Sequence, residues 1–355
     1  MNKINWGILG AGNIARSFAQ DLKLLPEANL LAIGSRSMEK AQQFANEFEI
    51  PRAYDSYEGL VSDPDIHVIY IATPHVFHRA QSLLCLNADK AILVEKPFTL
   101  NAEEAREVID CARERNLFCM EAMWMRFAPA VREAIRLVEQ KAIGDVQLIT
   151  ASLGFYNSVN QEHRLFNPDL GGGAMLDLGV YPLSLIVQLL GRPSTISSRA
   201  MIGSTHVDEH SAVLMSFANG EIAQFSANIR AQNRNDAFII GTEGTLYIHP
   251  PLYCPTNLTI QGFASSRFSS HDGRSITKKL KAIPYIHSSY KLAKQIINRL
   301  QGSQSTSFPY QGNGYYHEAA EVNRCLQRGI IESPIMPHKE TIAILETMDT
   351  IRSQW

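Results

Sequence analysis

Two short stretches of the chain carry residue types that could do chemistry. In Val94-Glu95-Lys96-Pro97-Phe98, a carboxylate and an ammonium directly follow an apolar, strand-like run, and a proline fixes the backbone after them. If that strand belongs to a parallel sheet, side chains at its end point into a ligand crevice. Taken alone, the pair would equally suit a surface salt bridge at a loop. In the stretch from Gly171-Gly172-Gly173 to Asp177-Leu178-Gly179-Val180-Tyr181-Pro182, helical spacing puts Asp177 and Tyr181 on one face, with Gly179 clearing room beside them. A carboxylate and a phenol within an otherwise apolar helix are costly to bury unless something meets them. The three glycines permit close approach to a flat ring, or mark a flexible loop.

A third motif concerns a phosphate ligand. Gly10-Ala11-Gly12-Asn13-Ile14-Ala15 follows the apolar run Ile4–Leu9 and opens a helical pattern carried by Ile14, Phe18, Leu22 and Leu25. Strand, glycine turn and helix are the parts of a dinucleotide site: Gly10 for the turn, Gly12 for backbone approach to pyrophosphate, Ala15 for close packing. The N–H groups of Asn13 and Ile14 and the positive end of the helix dipole then face the phosphates. A plain strand-to-helix turn would look the same in isolation. At the end of the second strand, where NAD-binding domains usually carry an acidic residue for the ribose, this chain has Ser35-Arg36-Ser37, with Lys40 one turn later. A guanidinium pairs with a 2′-phosphate that a carboxylate would repel. The reading is NADP(H) preferred, NAD(H) possible; the alternative is a solvated basic helix start.

The elements that must position these residues follow from periodicity. From Trp6 to about Met120, continuous apolar runs (Leu30–Gly34, Val68–Ala72, Ala91–Val94, Leu117–Met120) alternate with amphipathic segments (Met38–Phe48, Val76–Leu86, Ala102–Glu114). That pattern predicts an α/β fold, a doubly wound parallel sheet with helices on both faces. Right-handed crossovers bring Gly12, Ser35, Thr73 and Lys96 to one rim. After a helix over Pro129–Gln140 the pattern changes to period two, in Val146–Tyr156, Ala212–Phe217, Glu221–Arg230 and Ala237–Ile240. The expectation is an α+β unit with a large, mostly antiparallel open sheet covered on one face by helices. The glycine triplet introduces a helix running to Leu190, and further helices cover Tyr315–Gln327 and Lys339–Arg352. Residues 265–274 read as an exposed loop. The domains are 1–122, binding the dinucleotide, and 123–355, binding substrate, with the final helices packed on the latter.

Composition narrows the class. At 355 residues, 45% apolar and 19% charged with net charge −2, the chain has the size for two domains and no charge bias toward nucleic acid or anionic membrane. No signal-peptide pattern opens it, and no run approaches the ~20 apolar residues of a membrane helix. The five cysteines are scattered without metal or disulfide spacing. A cytoplasmic protein without a metal fits, and His75 and His78, three apart, lack a third ligand at metal-site spacing.

Together these motifs resemble the Gfo/Idh/MocA oxidoreductase family. The likeness rests on Gly10–Ala15, Ala72-Thr73-Pro74 with His78, Glu95-Lys96-Pro97, and Gly172-Gly173-Ala174 with Asp177. Pro309-Tyr310, His317-Glu318 and Met348–Arg352 extend it nearly end to end. Met123-Trp124-Met125-Arg126-Phe127 and Tyr181 are similar to the dihydrodiol dehydrogenase and NADP-dependent D-xylose dehydrogenase branch. The resemblance implies hydride transfer between nicotinamide and a carbon of a sugar, polyol or trans-dihydrodiol, with catalytic Lys96, Asp177 and Tyr181. Tyr181 is then general acid or base, Lys96 orients the reacting oxygen and lowers the phenol pKa, and Asp177 holds Lys96 or a substrate hydroxyl. It further implies a cis Lys96–Pro97 bond and cofactor contacts from Thr73, Pro74, His78, Glu95, Lys96, Trp124 and Arg126. Phe155 becomes a substrate wall beside Asp177 and Tyr181, and the open sheet a homodimer face. Two alternatives remain on the same fold: an NAD-retaining glycosidase acting by transient oxidation, and a non-catalytic ligand sensor.

Overall fold

The computed structural model describes residues 3–263 and 302–355; the loop expected over 265–274 lies outside them. The first half alternates β1 (Ile4–Leu9), α1 (Asn13–Leu22), β2 (Ala28–Gly34), α2 (Met38–Phe48), β3 (Arg52–Tyr54), α3 (Tyr57–Val61), β4 (Val68–Ile71), α4 (His78–Asn87), β5 (Ala91–Glu95), α5 (Ala102–Glu114) and β6 (Cys119–Ala122). The six strands form a sheet in the order β3-β2-β1-β4-β5-β6, every pair parallel. β4, β5 and β6 are buried at every residue, which is why they read as unbroken apolar runs. Local signals set the helix starts: Ser37 and Asn101 accept the Lys40 and Glu104 amides as caps of α2 and α5. Strand order reverses between β1 and β4, the position where doubly wound sheets open a ligand crevice.

The second half contains α6 (Pro129–Glu139), β7 (Val146–Gly154), a π-helical turn (Met175–Gly179), α7 (Val180–Leu190), β8 (Thr195–Ile202), β9 (Asp208–Ser216), β10 (Ile222–Asn228), β11 (Ala237–Gly241), β12 (Gly244–Ile248), β13 (Asn257–Gly262) and β14 (Ser303–Ser307), then α8 (Tyr316–Gln327) and α9 (His338–Arg352). Eight strands pair as β14-β13-β12-β11-β7-β10-β9-β8. All neighbours are antiparallel except β7 with β10. Alternation along β9 and β10 turns Val213, Met215, Phe225 and Ala227 to the core, where α7 packs. Leu214, Ile222 and Gln224 face away. The apolar stretch Pro168–Leu190 is long enough to span a bilayer, but 83% of its most apolar window is buried inside the protein, so its hydrophobicity belongs to the core.

The final helices depart from expectation. They pack on both halves rather than on the second alone. α9 lies against α5 as well as α7, and the Asp349 carboxylate accepts the Ala102 amide at 2.9 Å. α8 packs on α1, and its Asn323 accepts the Trp6 indole N–H at 3.0 Å.

Candidate active site

At the nucleotide rim, Gly10 adopts φ +106°, and a Cβ there would meet the Ala72 carbonyl oxygen at 2.9 Å. Only glycine serves. A Cβ on Gly12 would meet nothing closer than 4.0 Å, so its side toward ligand is open. α1 begins at Gly12 with neither a side-chain cap nor an acidic residue in its first turn. The amides of Asn13 and Ile14 therefore remain available to an anion. At the end of β2, Ser35 is buried while Arg36 and Lys40 are exposed. The Arg36 guanidinium lies 5.9 Å from the Phe77 ring centroid and beside Tyr57, whose phenol burial pushes up and Arg36 pulls down. Thr73 and Pro74, just beyond β4, are half-buried.

His78 is fully buried, its Nε2 2.9 Å from the Thr73 carbonyl oxygen and its Nδ1 2.9 Å from that of Pro97. It ties the rims of β4 and β5 together from behind the crevice. Burial lowers its pKa, against the pull of both carbonyls. The Lys96–Pro97 peptide is cis. His75 reaches the other half, with Nδ1 3.2 Å from the Gly171 carbonyl oxygen, and burial, then His78, lowers its pKa to about 3.

Across the crevice, the π turn governs the geometry. In its i→i+5 pattern the Asp177 carbonyl would be answered by residue 182, which is a proline without an N–H. The Lys96 ammonium takes that carbonyl instead, at 2.8 Å, and also donates to Asp177 Oδ1 at 3.3 Å. Arg164 Nη1 donates to the same Oδ1 at 2.9 Å. Burial opposes ionisation of Asp177, but Lys96 and Arg164 outweigh it and hold the carboxyl below the usual range. Lys96 Nζ lies 4.8 Å from the centroid of the Tyr181 ring, over its face. The Tyr181 oxygen accepts the Trp124 indole N–H at 2.8 Å. Trp124 stacks on Tyr315 at 4.3 Å and 14°, while Phe155, Tyr181 and Trp124 surround Tyr253 with centroids 5.8, 6.1 and 5.8 Å away.

Four expectations change. The Lys96 charge does not bring the Tyr181 phenol into the working range: burial drives its pKa well above the ordinary phenol value, the Trp124 hydrogen bond pulls it down, and Glu95, Asp177 and Glu318 push it further up. The ammonium meets the ring, not the hydroxyl. Arg126 does not border the cofactor; it is fully buried and donates to the Ser184 hydroxyl and carbonyl, to the Ile335 carbonyl and to Glu340. Glu95 turns inward, accepting from the Tyr70 hydroxyl and the Lys96 amide. The glycine triplet answers packing rather than a flat ring, since a Cβ on Gly173 (φ +119°) would lie 2.2 Å from Asp208 Oδ1. The residues not foreseen are Arg164, Tyr253, Tyr315 and Tyr57. Arg164, Tyr253 and Tyr315 lie on loops or turns and Tyr57 opens the five-residue α3, all too short or irregular for periodicity to carry a signal; for Arg164 the usable hint is a lone cation in an irregular stretch before the glycines. Among the described residues no three His, Cys, Asp or Glu side chains converge as a metal site would.

Residues 4–123 match the model of an oxidoreductase family with an NAD-binding Rossmann fold, and residues 131–247 match the GFO/IDH/MocA C-terminal domain. A trans-1,2-dihydrobenzene-1,2-diol dehydrogenase of Danio rerio is 34% identical over 99% of this chain and 96% of its own. The Bos taurus protein of that name is 34% identical over 98% and 96%. Among solved structures, a 3-ketoreductase from Actinomadura kijaniata in complex with NADP and TDP-benzene superposes with TM-score 0.78 at 22% identity, covering 99% of this chain and 98% of that one. A levoglucosan dehydrogenase in complex with NADH and levoglucosan gives 0.81 at 20% identity, covering 99% and 96%.

Proposed function

Because the chain belongs to the Gfo/Idh/MocA family of oxidoreductases, we propose that it interconverts a CH–OH group and a carbonyl on a small polyhydroxylated substrate, a sugar, polyol or trans-dihydrodiol, using NADP(H) in preference to NAD(H). The observation that carries this reading is the meeting of Lys96, from the end of β5, with Asp177 and Tyr181 from the other half. Gly10, Gly12 and the uncapped start of α1 fit a pyrophosphate. Arg36 over Phe77, with Lys40 exposed nearby, fits a 2′-phosphate and an adenine edge. Thr73, Pro74 and Lys96 border the nicotinamide half. When bound, the nicotinamide supplies or accepts the hydride at the substrate carbon.

Tyr181 handles the proton at the substrate oxygen. It is protonated at neutral pH, and so starts as the acid of carbonyl reduction and must lose its proton to act as the base of alcohol oxidation. Lys96, held on two Asp177 oxygens, places a positive charge where negative charge develops on the reacting oxygen. Asp177 keeps that ammonium in place with Arg164 on its other side. Phe155, Trp124 and Tyr253 form an apolar wall suited to one face of a ring, opposite the polar groups. The open sheet face exposes Leu214 and Ile222 to 50% and 45%, and a second copy of the chain is its proposed cover.

The test is a screen of aldoses, polyols, dicarbonyls and dihydrodiols with both cofactors, followed by Tyr181→Phe and Lys96→Met on the best substrate. Each variant loses turnover by about 10²- to 10⁴-fold with cofactor affinity changed little. Retention of near-normal turnover by both removes the mechanism, and tighter binding of NADH than NADPH removes Arg36 and Lys40 from the site.

A further inference from the structure

The Tyr181 oxygen has one proton to give and two lone pairs to fill. Among the described residues its one hydrogen-bond partner is the Trp124 indole N–H, at 2.8 Å. Tryptophan only donates, so this bond occupies a lone pair and leaves the phenol proton without a protein acceptor. The indole is itself held. It is 8% exposed, and it stacks on Tyr315, whose backbone N–H is bonded by the Asp21 carboxylate at 2.8 Å. The same carboxylate takes the Asn313 amide at 2.8 Å. Asp21 belongs to α1, the helix that begins at the dinucleotide turn.

We propose that Trp124 is a positioning residue for the proton step. Its indole N–H pins the phenol oxygen, turns the phenol proton toward the substrate cleft, and stabilises the phenolate once that proton has gone. The inference rests on Tyr181 being the acid and base. In the reducing direction the Tyr181 O–H bond breaks, its proton forms the new O–H bond on the substrate oxygen, and the hydride from the reduced cofactor forms the C–H bond. The phenolate so left is reprotonated from solvent. In oxidation the same phenolate must exist before the substrate proton can be taken. The indole bond to an anionic oxygen is then stronger than the bond to the neutral phenol, which is what makes it favour ionisation.

Other charged and titratable groups face this phenol from every side. Lys96 and Glu95 come from the end of β5, Asp177 from the π turn, Arg164 from the loop before it and Glu318 from α8, with Tyr253 and Tyr315 completing the surroundings. None donates a hydrogen bond to its oxygen. Lys96 approaches the ring face, and the carboxylates oppose ionisation. Trp124 alone combines a donor with contact at the reacting atom.

The experiment compares the full-length protein with Trp124→Phe, which keeps an aromatic ring over Tyr315 but removes the N–H. Tyr315→Leu serves as the second variant, loosening the indole while leaving both hydrogen-bonding groups. The readout is the pH profile of kcat/KM for alcohol oxidation, with cofactor affinity measured separately. In Trp124→Phe the limb that reports phenol ionisation moves up by roughly one to two pH units, as expected for losing a hydrogen bond to a charged oxygen. Activity at neutral pH falls by about ten- to a hundredfold, as that shift implies, while cofactor affinity changes little. Tyr315→Leu moves the limb the same way by less, and carries the test alone if Trp124→Phe does not fold. A limb that stays in place in a folded variant, with or without lost activity, overturns the proposal. Tyr181→Phe separates the two levels. If it abolishes the limb while Trp124→Phe leaves it unmoved, only this inference fails. If Tyr181→Phe keeps the limb, the acid–base reading itself has failed.

Discussion

Replacing Pro182 by alanine should make the helix more stable and the enzyme slower. Pro182 stands at the junction of the π turn and α7, where its missing N–H leaves the Asp177 carbonyl to Lys96 at 2.8 Å. Proline in a helix interior costs about 3 kcal/mol relative to alanine. Here the surroundings already accommodate the ring, so the gain on Pro182→Ala is set at about 1–2 kcal/mol, below that intrinsic figure. The new N–H at residue 182 competes for the Asp177 carbonyl. Lys96 then keeps only the longer 3.3 Å contact to Oδ1, which it shares with Arg164. A hydrogen bond from a charged donor contributes about 1.5–3 kcal/mol. If that much of the ammonium's placement is lost in the transition state, turnover falls by about ten- to a hundredfold. The assay pairs thermal unfolding of the cofactor-free protein with kcat and kcat/KM on the substrate identified by the screen. A raised midpoint with lowered kcat is the expected outcome. Unchanged turnover in a variant that unfolds at a higher temperature would refute the argument, because the carbonyl would then be irrelevant to Lys96.

Three further predictions concern separate parts of the molecule. Arg36→Ala weakens NADPH binding by about 1.5–3 kcal/mol, the range for a charge-assisted hydrogen bond, and leaves NADH binding nearly unchanged; equal losses for both cofactors in calorimetric titration would place the guanidinium elsewhere. Asp208, buried and accepting the Met175 amide at 2.7 Å, has its pKa raised to about 7 by burial, so the sign of its linkage is that stability present below pH ~4 is lost as pH rises toward 7. Asp208→Asn therefore gains stability relative to the parent between pH 4 and 8, by at most about 4 kcal/mol; urea midpoints that keep a constant difference across that range would contradict it. Leu214→Glu, on the open face of β9, should convert the homodimer proposed above to a monomer in light scattering at micromolar concentration without disturbing the core that Val213 and Met215 fill from the other face; a parent protein that is already monomeric would refute that cover.

The parts of the fold that were legible are those whose burial imposes a pattern. β1, β2, β4 and β5 are continuous apolar runs because helices cover the parallel sheet on both faces, and β9 and β10 alternate because one face of the second sheet is open. β14 is exposed at all five residues, Ser303–Ser307, and β3 has only three; each is a strand through backbone pairing with its neighbour, which leaves no mark on side-chain chemistry. The final helices misled for a related reason. Their apolar faces show that they are buried, but not that α9 is shared between α5 and α7 or that α8 docks on α1.

The candidate site shows where such reading stops. Lys96, Asp177 and Tyr181 were identifiable because a charge after a buried strand and a polar pair in an apolar helix are expensive features that ask for a reason. How they meet depends on a single helical irregularity. In an unbroken α-helix the amide of residue 181 would answer the Asp177 carbonyl, and proline would break the next bond; in the π turn it is the Asp177 carbonyl that proline leaves free, and it points to Lys96. Trp124 likewise reads as one more aromatic wall until the direction of its N–H is known. The same is true of Arg126, for which the family resemblance implies a cofactor contact and whose neighbours are Ser184 and Glu340. Residue type announces that a group needs a partner. The direction of each donor, fixed by packing from distant elements such as Asp21 on α1 beneath Tyr315, decides which partner it finds, and on the proposed mechanism it thereby governs how readily the phenol of Tyr181 yields its proton.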